Sequence, residues 1–185
     1  TFGTPFKHDD KPAPEDHYGQ SKLTAELELQ KLCKQTAMEL TIIRPGLIYG
    51  PNNKGNLASL EKLIKLHIPL PLKSLKNKRS LIHIDGLCSL IETCCTHPKA
   101  ANETFLAADD TPMSSAEIAE QLASLSKLPN PTLIPFPPKL LIWAATKLSP
   151  LEKLTGDLEI NTLHTQKTLE WASTHTKTPK ELPHI

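Results

Sequence analysis

Tyr18 and Lys22 are the two residues whose types and spacing most directly offer chemistry in this sequence. Residues four apart on a helix share one face, so a phenol and an ammonium placed there can reach the same bound ligand. A free phenol titrates near ~10, too high for base catalysis at neutral pH. A neighbouring cation favours the ionised form, and the pair then becomes a candidate general acid/base for moving a proton to or from a hydroxyl. Lysine fills roughly a tenth of all positions, so the spacing alone favours an ordinary amphipathic helix face over a catalytic pair.

The surrounding pattern supplies the elements that must hold such a pair. A loop carrying Pro5, Pro12 and Pro14 leads into an expected helix over residues 18–35, with Tyr18, Lys22, Ala25, Leu29 and Leu32 recurring on one face. Residues 40–43 form a short β-branched run expected to be a buried strand, followed by a kinked loop punctuated by Pro45, Gly46, Gly50 and Pro51. Asn56 is placed to cap a second helix that ends before Pro69. Residues 81–84 read as a strand, Asp85 as the cap of a helix bearing Leu87, Leu90, Ile91, Cys94 and Cys95, and residues 104–107 as another strand. Ser114 and Glu117 have the spacing of a capping box. Beyond them the expectation is an extended stretch at 132–136, a helix at 139–148, a strand at 157–161 and a last helix at 165–171. Alternation of this kind predicts an α/β protein.

Composition narrows the function classes. With 21 basic and 20 acidic residues the chain has a formal charge of +1, so the electrostatic footprint expected of nucleic-acid or anionic-membrane binding is missing. Its longest apolar stretch, residues 140–145, falls far short of the roughly 18 residues a spanning helix requires. The eight His are scattered, and Cys33, Cys88, Cys94 and Cys95 lack the spacing of a zinc or redox motif, so no metal is assigned. Cys88, Cys94 and Cys95 lie among periodic apolar positions and are expected to be small buried thiols. A reducing, cytoplasmic setting is the expectation. Seven Gly occur, and none are arranged as the strand-turn-helix fingerprint that cradles a dinucleotide pyrophosphate.

Several ordered motifs then carry a family resemblance. The run PAPEDHYGQSKLTAE (12–26), followed by IIRPGLIYGPNNKGN (42–56), resembles the extended short-chain dehydrogenase/reductase family of NAD-dependent epimerases and dehydratases. The segment KNKRSLIHIDGL (76–87) is similar to that family's Arg-x-x-x-His-Val-x-Asp stretch, and TGDL (155–158) to its Gly-Asp element. The resemblance implies the C-terminal part of a doubly wound, Rossmann-like parallel sheet, with the end of the dinucleotide-binding domain at 1–55. A small mixed α/β substrate-binding lobe, with some return elements to the sheet, would occupy 56–185.

The same resemblance implies roles. Tyr18 would be the catalytic acid/base, and Lys22 would hold the nicotinamide ribose of NAD or NADP. Pro45 would pack at the turn beside the nicotinamide. Asn56 and Arg79 would bind a nucleotide diphosphate, Leu72 would line a uracil slot, and Asp157 would accept from the nucleotide ribose. The implied activity is epimerisation at C4 of a UDP-hexose or UDP-N-acetylhexosamine, with a homodimer as the assembly. The alternatives are an NAD(P)H-dependent 4-keto-sugar reductase and a non-catalytic binding or dimerisation module. Because no Gly-rich turn precedes Tyr18, the expectation is a chain that lacks the cofactor-binding half of such an enzyme. Leu47 stands where some epimerases carry Asn, which leaves the sugar open.

Overall fold

Short apolar runs become strands here because each finds a parallel partner far along the chain. The computed structural model describes residues 3–145 and 155–173. Strand β1 (Ile42–Pro45) pairs in parallel with β4 (Thr104–Ala107), and β2 (Leu47–Tyr49) pairs in parallel with β3 (Leu81–His83). Around them lie α1 (His17–Cys33), α2 (Gly55–Lys65), α3 (Ile84–Thr96), α4 (Ser115–Leu125), α5 (Pro138–Ala145) and α6 (Leu163–Leu169). Parallel partners need a crossover, and α2 lies in the connection from β2 to β3.

The chain passes from one strand pair to the other at Gly46. Its amide donates to the Ala107 carbonyl at 2.9 Å, while the next amide, Leu47, donates to Ser80 at 3.0 Å. A Cβ at Gly46 would stand 2.5 Å from the Ser80 carbonyl oxygen, so only glycine lets the two backbones approach this closely. Asp109 adds a second suture, its amide donating to Leu81 at 2.7 Å.

Two apolar clusters meet at β3, where side chains alternate between opposite faces. Leu81 joins Tyr49, Leu60, Ile64, Ile118 and Leu122, which pack α2 and α4 over β2. Ile82 joins Leu90, Phe105, Leu169 and Trp171, which pack α3 and α6 against β4. Ser114 caps α4 with both bonds of the expected capping box present.

Several local expectations give way. Lys54, not Asn56, occupies the cap position of α2 and makes no side-chain cap bond. Gly55 adopts φ +61°, the left-handed region that glycine enters freely, and this starts the helix earlier. At α3 the His83 ring, rather than Asp85, caps the helix by accepting the Asp85 amide at 3.3 Å. The expected strand at 157–161 is reduced to isolated bridges at Leu158 and Ile160. Cys88 and Cys95 are exposed and Cys94 is half-buried, because α3 turns Gly86, Leu87 and Leu90 inward instead. The expected helix at 139–148 is present as far as Ala145, and its last residues lie outside the described residues.

Candidate active site

Asp16 starts the helix that carries the candidate pair, its Oδ1 accepting the Gly19 amide at 2.7 Å. The N-cap bond satisfies one of the amides that a helix start leaves free. Tyr18 and Lys22 follow in the first two turns, and the Lys22 ammonium stands 5.4 Å from the centre of the Tyr18 ring. The two groups therefore sit together on one face, as their spacing requires. Tyr18 is 70 % exposed and α1 buries none of its residues, so the phenol is open to a ligand.

An open groove of about 800 Å³ runs between α1, β1, β2 and the start of α2. Tyr18, Lys22, Pro45 and Asn56 all line it, with Leu47 and Ile48 adding an apolar wall. Four of the seven residues expected at a site thus share one cavity. Asn56 lies in the first turn of α2, where backbone amides still lack helical partners and favour an anion.

Arg79 and Asp157 are brought together elsewhere. The Arg79 backbone bridges to Met113 on one side and Leu158 on the other. Its guanidinium donates through Nη1 to the Gly156 carbonyl at 2.7 Å, while Nε is buried without a partner. Burial holds the guanidinium below its ordinary value, and the negative charge of Asp157 offsets part of that loss. Asp157 accepts the Lys78 amide at 2.8 Å through Oδ1. Neither residue lines the Tyr18 groove, yet the separation is short along the backbone: Ser80, next to Arg79, is the residue against which Gly46 of the groove packs.

Leu72 is 2 % exposed within the α2/α4 cluster. Its side chain packs the core instead of lining an open slot, because the neighbouring backbone at Leu70 pairs with the 132–134 segment and turns Leu72 inward. Tyr49 is likewise a core aromatic, donating to Asp109 Oδ2 at 3.0 Å. Burial, then the charge of Asp109 and that hydrogen bond, push its phenol well above the ordinary range. Tyr49 is therefore no acid/base for the groove.

Sequence reasoning missed two polar ties. Arg44, on β1, makes a fork to Glu26 of α1, with Nε 3.1 and 3.2 Å from the two carboxylate oxygens. Both residues line the groove. The one available signal was that Glu26 follows Lys22 by the same four residues that separate Lys22 from Tyr18. The buried Asn77 amide, in turn, donates to Ser115 Oγ at 3.0 Å and to the Gly156 carbonyl at 3.2 Å. It joins the start of α4 to the segment beside Arg79, and no local pattern announces it.

The family model described as the NAD dependent epimerase/dehydratase family matches residues 2–108. The chain belongs to that family. It is 45% identical over 178 residues to a UDP-glucose 4-epimerase of Vibrio cholerae, a match covering 91% of this chain and 52% of the relative. It is 29% identical over 146 residues to an N-acetyl-alpha-D-glucosaminyl-diphospho-ditrans,octacis-undecaprenol 4-epimerase of Escherichia coli O157:H7, covering 77% of this chain and 44% of the relative. Among solved structures, a UDP-glucose 4-epimerase with UDP-glucose from Thermotoga maritima matches at TM-score 0.69 and 14% identity, covering 94% of this chain and 53% of that one. A dTDP-glucose 4,6-dehydratase from Bacillus anthracis in complex with NAD matches at TM-score 0.69 and 17% identity, covering 95% and 53%. These structures establish the α/β fold with its parallel strands. The chain spans about half the length of the curated relatives it matches.

The residues present fit one end of a nicotinamide dinucleotide. The groove offers a phenol and an ammonium for ribose hydroxyls and an apolar wall of Pro45, Leu47 and Ile48 for a flat ring. The Gly-x-Gly-x-x-Gly spacing that cradles the pyrophosphate of a dinucleotide has no counterpart among the described residues.

Proposed function

We infer that this chain is the C-terminal part of a nucleotide-sugar 4-epimerase that uses NAD or NADP and acts on a UDP-hexose or UDP-N-acetylhexosamine in the cytoplasm. The observation that carries the reading is the convergence of Tyr18, Lys22, Pro45 and Asn56 on one groove. The 45% identity to a UDP-glucose 4-epimerase supports the choice of substrate class.

In this reading the bound nicotinamide supplies hydride acceptance and return. The chain's own residues handle the proton and part of the binding. Tyr18 Oη takes the proton from the sugar 4-hydroxyl and later gives it back. Lys22, beside the Tyr18 ring, holds ribose hydroxyls. Pro45 keeps the ring against the groove wall. Asn56 and the free amides of the first turn of α2 take the diphosphate.

Arg79 and Asp157 serve the nucleotide end. Burial disfavours the Arg79 cation, and in this reading its guanidinium would meet the diphosphate. Asp157, whose charge acts on Arg79, would accept from the nucleotide ribose in this reading. A homodimer belongs to the same reading, supported by the exposed Leu27 and Leu32 of α1.

The test is C4 inversion of UDP-glucose or UDP-N-acetylglucosamine by the full-length polypeptide, followed by proton NMR. Tyr18→Phe is expected to lower turnover by roughly 100-fold or more while UDP binding stays near parental. Parental turnover in that variant removes Tyr18 from the mechanism. Stoichiometric consumption of NAD(P)H with a 4-keto sugar, and no epimer formed, would identify a reductase instead.

A further inference from the structure

The loop at 50–54 carries the chain from β2 into α2, and its far end delivers Lys54, Gly55 and Asn56 to the groove. Both flanks of the loop are fixed by contacts within this chain. Tyr49, just before it, is 5% exposed, bonded to Asp109 and edge-on to the His83 ring at 5.0 Å. Leu57 and Leu60, just after it, are 4% and 1% exposed. Further polypeptide can only deepen burial of this kind.

The stretch between the flanks has no regular backbone pattern to place it. Asn52 and Gly55 stand in the left-handed region at φ 60° and +61°, and Asn53 and Lys54 between them belong to neither strand nor helix. Lys54 makes no side-chain bond to the helix start. Asn53 spans the gap instead. Its Oδ1 accepts the Gly50 amide at 3.1 Å, and its Nδ2 donates to Glu61 Oε1 at 2.7 Å. The same Glu61 oxygen accepts from Ser126 Oγ at 2.7 Å, and Ser126 closes the end of α4. A line of hydrogen bonds therefore runs from the start of the loop, through α2, to the helix that packs the core, and a carboxylate acceptor makes two of its links stronger than neutral ones.

We propose that Asn53 and Glu61 are positioning residues for the diphosphate: their bond sets where the loop ends, and so where Asn56 and the free amides of the first turn of α2 stand in the groove. This rests on the reading given above, in which those groups take the diphosphate. Both halves of the Asn53 amide are engaged inside the chain, so the ligand is not its partner. The diphosphate is remote from the reacting carbon, and loosening its seat weakens substrate and transition state alike. The loss then falls on KM and spares kcat.

In the full-length polypeptide, Asn53→Asp sets two carboxylates against each other, and KM for the UDP-sugar is expected to rise roughly 10-fold with kcat within about twofold of the parent. Competition by UDP weakens by the same factor, while competition by uridine, which carries no phosphate, is unchanged. Glu61→Ala removes the partner without adding charge and gives the same pattern. Asn53→Asp combined with Glu61→Gln exchanges donor and acceptor at constant net charge and restores the parental KM. A parental KM in Asn53→Asp or in Glu61→Ala overturns the proposal. So does an equal loss of UDP and uridine competition, which would mark a general loosening, and so does a double variant that melts like the parent yet keeps the raised KM. Asn56→Ala in the same assays separates the two levels of failure. If it leaves KM and UDP competition parental, the diphosphate reading of the groove is wrong and the proposal falls with it; if it raises KM while Asn53→Asp is normal, only the positioning role is lost.

Discussion

Helices α1 and α4 begin alike and are held in opposite ways. Each opens on a polar cap, Asp16 for α1 and Ser114 for α4. From there α4 turns Ile118, Ala119, Leu122 and Ala123 into the core, whereas α1 buries nothing and is tied to β1 by an ion pair. Hydrophobic burial is strong and non-directional, so α4 is a source of stability. A charge-assisted fork contributes little net stability but specifies geometry, so α1 is a place where side chains can be exposed and aimed. Among the described residues the helix that carries the core and the helix that carries the candidate pair are thus different ones, and substitutions on the two should report on different properties.

The largest effect that would test this separation is in α4. Leu122 is 1% exposed, and Leu122→Ala is expected to cost about 2–5 kcal/mol in urea unfolding, from lost burial plus the cavity left behind. A loss below ~1 kcal/mol would mean that the α2/α4 cluster repacks freely and that α4 is no anchor. Ser114→Ala removes the capping hydroxyl that the Glu117 amide donates to at 3.2 Å; about 1 kcal/mol is expected. The smallest effect belongs to α1. Tyr18→Phe deletes one oxygen from an exposed side chain and should shift unfolding stability by less than ~0.5 kcal/mol, even where it lowers turnover of the full-length polypeptide by roughly 100-fold or more. A loss as large as that of Ser114→Ala would show that the Tyr18 hydroxyl is structurally engaged and would blur the contrast.

Much of this organisation could be read from local pattern. The helix over Tyr18 and Lys22 declared itself through periodicity, and the Ser114–Glu117 box through a three-residue spacing that hydrogen-bonds only with its own backbone. The strand at 104–107 showed as a short apolar run between breakers. Where several local signals competed, the reading slipped. Asn56 and Asp85 are both good caps by residue type, but Gly55 and His83 bring the helices in earlier. The thiols of α3 followed an apolar pattern too broad to say which stripe faces inward, and Cys88 and Cys95 fell on the outside.

Residue types and short spacings were enough to determine the α/β class, the order of the helices and of most strands (β2 was read as loop, and the 157–161 stretch as a strand), and the placing of a phenol and an ammonium on one helix face. Those features depend on torsional preference and on periods of two and 3.6 residues, which are properties of neighbours in the chain. Tertiary structure alone decided that Glu26 meets Arg44 across 18 residues, that Arg79 is buried against Gly156 across 77, and that Leu72 belongs to the core. Such contacts depend on which distant surfaces pack together, and a hydrogen bond or a buried face between them leaves no periodic trace along the sequence.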